Sequence, residues 1–141
     1  MMKRILLALG AALLMGAFSG GAQAQTMSYA QAGALIAKSC GPSIEKYCNK
    51  VNIGSGKVLG CLQAKQSSVP AQCFADYNAV VASLAKRVAA QAGAYKACQR
   101  EAAQYCQGVQ PGDSNIRDCL VDAKDVVRGT CRQTLIDAGW Y

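Results

Sequence analysis

Eight cysteines lie on one ruler used twice: Cys40, Cys48, Cys61 and Cys73, then Cys98, Cys106, Cys119 and Cys131, each 58 residues after its counterpart. The spacing within each copy is C-x7-C-x12-C-x11-C. A fixed period anchored on cysteines marks a duplicated supersecondary unit, since a unit this short buries too little apolar surface to stand alone and must be stapled or stacked. Residues between the cysteines repeat as well. Lys38, Tyr47, Val51, Gly54 and Leu62 return as Lys96, Tyr105, Val109, Gly112 and Leu120.

The chain opens with Lys3 and Arg4, an apolar run from Ile5 to Phe18, and small residues ending in Ala22-Gln23-Ala24. This reads as a secretory leader of bacterial type cleaved after Ala24, and the apolar run is shorter than the roughly 20 residues a membrane span needs. No second such run follows, so no transmembrane segment is expected after cleavage, and the site is the periplasm or beyond. Removing Lys3 and Arg4 lowers the formal net charge from +7 to +5. The expected organisation is leader 1–24, first cysteine-rich repeat 25–84 and second repeat 85–141. In an oxidising compartment, eight cysteines with none left over point to four disulfides.

The spacing predicts an all-α chain. Tyr29, Gly33, Ile36, Cys40, Ile44 and Tyr47 advance by three or four residues, the stripe of one helix face, with no alternation of period two. Turn residues at 51–56 and again at 108–112 end the first helix of each copy. A short helix carrying Val58, Cys61, Leu62 and Lys65 follows, with Asp113 or Ser114 as the expected N-cap of its counterpart at Ile116, Cys119, Leu120 and Ala123. A third helix is expected from Ser68-Val69-Pro70, Ser as cap and Pro in the first turn, with Cys73, Tyr77, Val81, Leu84 and Val88 on one stripe. Its continuation into the second copy is allowed as one long connecting helix, with Gly93 the expected bend. Gly139 is expected to close the last helix before Trp140 and Tyr141.

Three pairings are available within each copy. In a helical hairpin turning near Gly54, Cys48 and Cys61 flank the turn, while Cys40 lies about 12 Å further down its helix and Cys73 returns to that end. The expected set is nested: Cys40–Cys73, Cys48–Cys61, Cys98–Cys131 and Cys106–Cys119. The crossed pairing and a bridge between copies stay open, because connectivity is not written in the sequence.

Function is less legible. The chain has no His and only two Glu, so the commonest general bases are missing and no catalytic residue is assigned. Gly54-Ser55-Gly56-Lys57 resembles a fragment of a phosphate loop, but it joins two helices and lacks the upstream Gly and the following Ser or Thr. The alternative class is a thiolate store for Cu(I) or Zn(II), against which stand the wide spacing, the lack of C-x-x-C and the lack of His. No cofactor and no metal site is assigned. The first copy is distinctly basic, with Lys38, Lys46, Lys50, Lys57 and Lys65 against Glu45 and Asp76, and offers a candidate surface for an anionic envelope component or an unknown protein. Nucleic acid is not an expected partner, since aromatic platforms and a known module are lacking.

The cysteine frame, with Tyr47-Cys48 and Tyr105-Cys106 before a Gly-containing loop and Cys61-Leu62 and Cys119-Leu120 after it, resembles the cysteine-rich repeat of the Golgi cysteine-rich FGF receptor, also known as an E-selectin ligand. That repeat also occurs in small secreted bacterial proteins. The resemblance covers roughly Ala34 to Ala79 and Ala92 to Asp137. It implies a non-catalytic binding or adaptor role. It carries over no ligand, because the matching positions are framework residues.

Overall fold

The computed structural model describes residues 25–141, and the expected leader at 1–24 lies outside the described residues. Within them the chain forms six α-helices and no strand: α1 (Tyr29–Tyr47), α2 (Lys57–Gln63), α3 (Ala71–Ala97), α4 (Gln99–Tyr105), α5 (Asn115–Asp122) and α6 (Gly129–Asp137), with a short 3-10 turn at Gln66–Ser68. The fold is all-α and built of two repeats, as the period requires.

α3 is the spine. Its 27 residues run about 40 Å, through Gly93 without a break. The interruption comes instead at Cys98, whose ψ of 8° leaves the helical range, so the expected bend is displaced by five residues. The hydrogen-bond ladder passes through it, with Cys98 N–H donating to Ala94 O and Ala102 N–H donating to Cys98 O, both at 2.9 Å. A side chain at Gly93 would meet open space, so no close approach there calls for glycine.

α1 and α6 both pack on α3, and both run antiparallel to it. Cys40 of α1 joins Cys73 near the start of α3, while Met27, just before α1, donates to Ser83 Oγ at 2.7 Å. Likewise Cys131 of α6 joins Cys98, while Asp137 at the end of α6 meets Lys86 at 2.9 Å. The segment before α1 and the segment after α6 therefore meet beside the middle of α3.

Each repeat has its own core. Cys40, Cys48, Leu62, Val69 and Cys73 are buried together in the first, and Cys98, Cys106, Leu120, Val127 and Cys131 occupy the same places in the second, joined there by Leu135. The apolar stripes hold only where a repeat core lies beneath them. In α1 the side chains from Ile36 to Tyr47 pack inward, but Gly33 and Tyr29 are exposed and Ala32 is buried instead. In α3 the inward residue is Val80, while Val81 and Val88 are half exposed.

The helix ends differ from expectation in instructive ways. α1 begins with a capping box, Ser28 Oγ accepting from Gln31 N–H while Gln31 Oε1 accepts from Ser28 N–H. Ser68 is not the cap of α3: it closes the 3-10 turn, and Pro70 stands just before the helix rather than in its first turn. Lys65 falls just past α2. Ser114 does precede α5, but it sits at φ 68° and its side chain makes no capping bond. Three successive left-handed residues make this turn, Gly112, Asp113 and Ser114, and the equivalents Gly54, Ser55 and Gly56 do the same in the first repeat. α6 ends as expected, with Gly139 at φ 72°, Gly139 N–H donating to Ile136 O and Trp140 N–H donating to Leu135 O, a Schellman closure.

Candidate functional site

The sulfurs are consumed by the frame. Disulfides join Cys40 to Cys73, Cys48 to Cys61, Cys98 to Cys131 and Cys106 to Cys119, and no free cysteine is left. The outer bridge of each repeat ties the first helix to the third at a Cα separation of 4.8 or 4.7 Å, and the inner bridge closes the hairpin loop at 6.0 Å. A sulfur held in a disulfide is not a thiolate and cannot ligate a soft metal, so the bridges favour the framework role over metal storage.

The five lysines of the first repeat are all exposed. They do not form one helix face. Lys38 and Lys46 lie on α1, but Lys50 lies beyond its end at Tyr47, Lys57 opens α2 and Lys65 follows α2. Lys46 rests over the Tyr47 ring at 5.1 Å. The ion pairs among the described residues, Lys86–Asp137, Arg100–Glu101 and Arg117–Asp118, take none of the five.

A second feature is built twice. In each repeat the short hairpin helix stands off from the helices beneath it and leaves an apolar cleft, of about 300 Å³ in the first repeat and about 200 Å³ in the second. Both are lined from matching positions: Ile36, Ile44, Val58, Leu59 and Tyr77 in one, Ala94, Ala102, Ile116, Arg117 and Leu135 in the other. The second is also walled by Trp140, with the Arg117 guanidinium 5.8 Å from its ring centre.

The cysteine rich repeat family model (Cys_rich_FGFR) matches residues 26–68 and 72–127, well over half of the chain. The chain belongs to the cysteine-rich repeat family. No curated protein and no solved structure matches. The family's first stretch covers α1 to the 3-10 turn, and its second covers α3, α4 and α5 up to buried Val127. Each stretch thus holds one hairpin with its inner bridge.

Family membership accounts for the cysteine frame, while the middle of the molecule is held by residues of another kind. Arg87 of α3 donates through Nη1 to the Met27 carbonyl at 3.2 Å and through Nη2 to the Gly139 carbonyl at 3.3 Å. Thr26 Oγ1 donates to the Asp137 carbonyl at 2.6 Å, and Gln91 Nε2 donates to the Ala138 carbonyl at 3.0 Å. Sequence reasoning missed this joint, because most of its acceptors are backbone carbonyls. It also missed the buried pair Val69 and Val127, although these recur at the period of 58 and were there to be found.

Four disulfides place the folded chain in an oxidising, extracytoplasmic setting. Among the described residues no helix is long and apolar enough to cross a membrane.

Proposed function

We propose that this cysteine-rich repeat protein is a non-catalytic binding or structural module of the periplasm or the exterior, working on a surface rather than by a reaction. The observation that carries the reading is the commitment of all eight sulfurs to two identical nested frames. The recurring Cys, Tyr, Val, Gly and Leu residues serve that frame, and the exposed residues between them are left to recognise something. The chain has no His and only two Glu, Glu45 and Glu101, which fall in different repeats, so the commonest general bases are scarce.

The partner proposed for the first repeat is an anionic envelope component. Its support is charge: five exposed lysines, free of the ion pairs described above, over a repeat with only Glu45 and Asp76 as acids. Cations gain roughly 1 kcal/mol each beside an anionic headgroup layer, and the gain is screened by salt.

Co-sedimentation with vesicles of phosphatidylcholine, with and without phosphatidylglycerol, tests this. The expected result is retention only on the anionic vesicles, lost at high salt and weakened by joint Lys46→Ala, Lys50→Ala and Lys57→Ala. Equal behaviour on both vesicle types, or retention indifferent to the three lysines, overturns it.

A further inference from the structure

The two apolar clefts are the same cleft built twice, and the differences between them are chemical. Where the first copy has Ile36 and Ile44, the second has Ala94 and Ala102; where the first has Leu59, the second has Arg117. The first cleft has no charged residue in its lining. The second combines aliphatic walls, the Trp140 ring and the Tyr95 rim with one guanidinium. Tyr95 is 74% exposed, an aromatic face left open beside the cleft.

Deepening the binding-module reading, and resting on it, we infer that the second-repeat cleft is a binding site for a small aromatic carboxylate, the ring held between Ala94, Ala102, Leu120 and Trp140 and the carboxylate on Arg117. Size sets the ring. A dry apolar cavity of about 150 Å³ accepts benzene, so a cleft of about 200 Å³ admits one ring and a short side arm. The Trp140 face and the Tyr95 edge favour an aromatic guest through offset stacking.

Charge sets the head group. Arg117 already pairs with the half-exposed Asp118, both Nε and Nη2 reaching Asp118 Oδ1 at 2.7 Å. These bonds hold the guanidinium in the cleft wall, 5.8 Å from the centre of the Trp140 ring. The remaining Nη1 edge can donate to a bound carboxylate, and a bond between two ionised groups is about twice as strong as a neutral one. Asp118 opposes the ligand charge in part, so the preference for an anion is moderate.

The chain contains a single tryptophan, and it lines this cleft, so its emission reports occupancy directly. The experiment titrates the oxidised protein with 3-phenylpropionate and with neutral 3-phenylpropanamide, reading Trp140 emission and, independently, equilibrium dialysis. The acid is expected to saturate with a dissociation constant of about 1 mM or tighter, at least about fivefold tighter than the amide. Arg117→Leu, the first copy's own residue, is expected to remove that preference while keeping amide binding. Ala94→Ile, again the first copy's residue, adds three carbons to the cleft wall beside the proposed ring position and is expected to weaken both, with thermal unfolding confirming the fold.

Three results overturn the inference: no saturation by tens of millimolar, equal binding of acid and amide by the wild type, or binding unmoved by Ala94→Ile. Any of them in an oxidised, folded protein leaves the binding-module reading to the vesicle experiment. Free thiols loaded with metal in the same sample would sink that reading itself.

Discussion

The Arg87 guanidinium occupies the space into which a side chain at Gly139 would project: a Cβ built there falls on Nη1, Nη2 and Cζ of Arg87. The same guanidinium donates to the Gly139 carbonyl at 3.3 Å and to the Met27 carbonyl at 3.2 Å. The bare Cα of Gly139 is thus what lets α3 hold the segments at Met27 and Gly139 at once, and the positive φ of 72° makes glycine doubly apt.

Gly139→Ala is expected to destabilise by about 2–3 kcal/mol, part from the left-handed backbone and part from displacing Arg87 off its two carbonyls. The flexible arginine can move aside, so the cost is the bonds it loses. Arg87→Ala alone should cost about 1–3 kcal/mol for the same bonds. In the double variant the second cost is already spent, and adding Gly139→Ala should lose only about 1–2 kcal/mol more. Denaturant unfolding of the four proteins checks this; strict additivity would mean that the two residues do not share one joint.

The paired turns give a second test. Position 56 is Gly at φ 71° and its equivalent, position 114, is Ser at φ 68°. A left-handed non-glycine residue is strained by about 1–2 kcal/mol, while glycine gives back roughly 0.5–1 kcal/mol through its freer unfolded state. Ser114→Gly should therefore stabilise by about 0.5–1 kcal/mol, and Gly56→Ala should destabilise by about 1 kcal/mol. A lower melting temperature for Ser114→Gly would contradict the equivalence of the two turns.

How much of this was legible without coordinates depends on where the information lies. The helical class, the two repeats and the ends of α1 and α6 follow from cysteine spacing, stripes and Gly139, all of them local. The left-handed state of Ser114 was mistaken for side-chain capping, since Ser and Asp usually cap helices; the clue was Gly56 one period earlier. The Arg87 joint binds mostly backbone carbonyls, which look the same at every residue, and the second cleft exists only once α3, α5 and the chain end are folded together. Neither leaves a pattern a sequence can display.

The inner and outer bridges should differ in worth. Cys40–Cys73 and Cys98–Cys131 each span 33 residues, and Cys48–Cys61 and Cys106–Cys119 each span 13. Loop-closure entropy assigns about 4 kcal/mol to the longer loops and about 3 kcal/mol to the shorter. The outer cysteines are also the more deeply buried, with Cys61 and Cys119 partly exposed. Paired Cys→Ala replacement of an outer bridge is expected to lower the melting temperature more than that of the inner bridge in the same repeat. The reverse order would assign the main restraint to the hairpin loop.

Alkaline pH should loosen the chain end. Burial raises the Tyr141 phenol pKa above its usual value of about 10, against the opposing pull of Arg132 and Arg128. The neutral phenol, which lies 3.4 Å from the Leu120 carbonyl, is the form the fold favours. A raised folded-state pKa means that this contribution is complete below pH 10 and is lost as pH rises through the folded value. Stability measured from pH 8 to about 11 should fall more steeply in the wild type than in Tyr141→Phe. Parallel curves would show that the phenol does not feel the fold.

The central claim is that eight cysteines make two nested disulfide frames around a protein that acts by binding. Intact mass of protein taken from its export compartment, before and after reduction and alkylation, with metal analysis and peptide mapping of the bridges, tests it most directly. The account predicts eight alkylations only after reduction, no stoichiometric metal, and peptides linking Cys40 to Cys73, Cys48 to Cys61, Cys98 to Cys131 and Cys106 to Cys119. Free thiols carrying copper or zinc, or peptides linked in the crossed order, would contradict it.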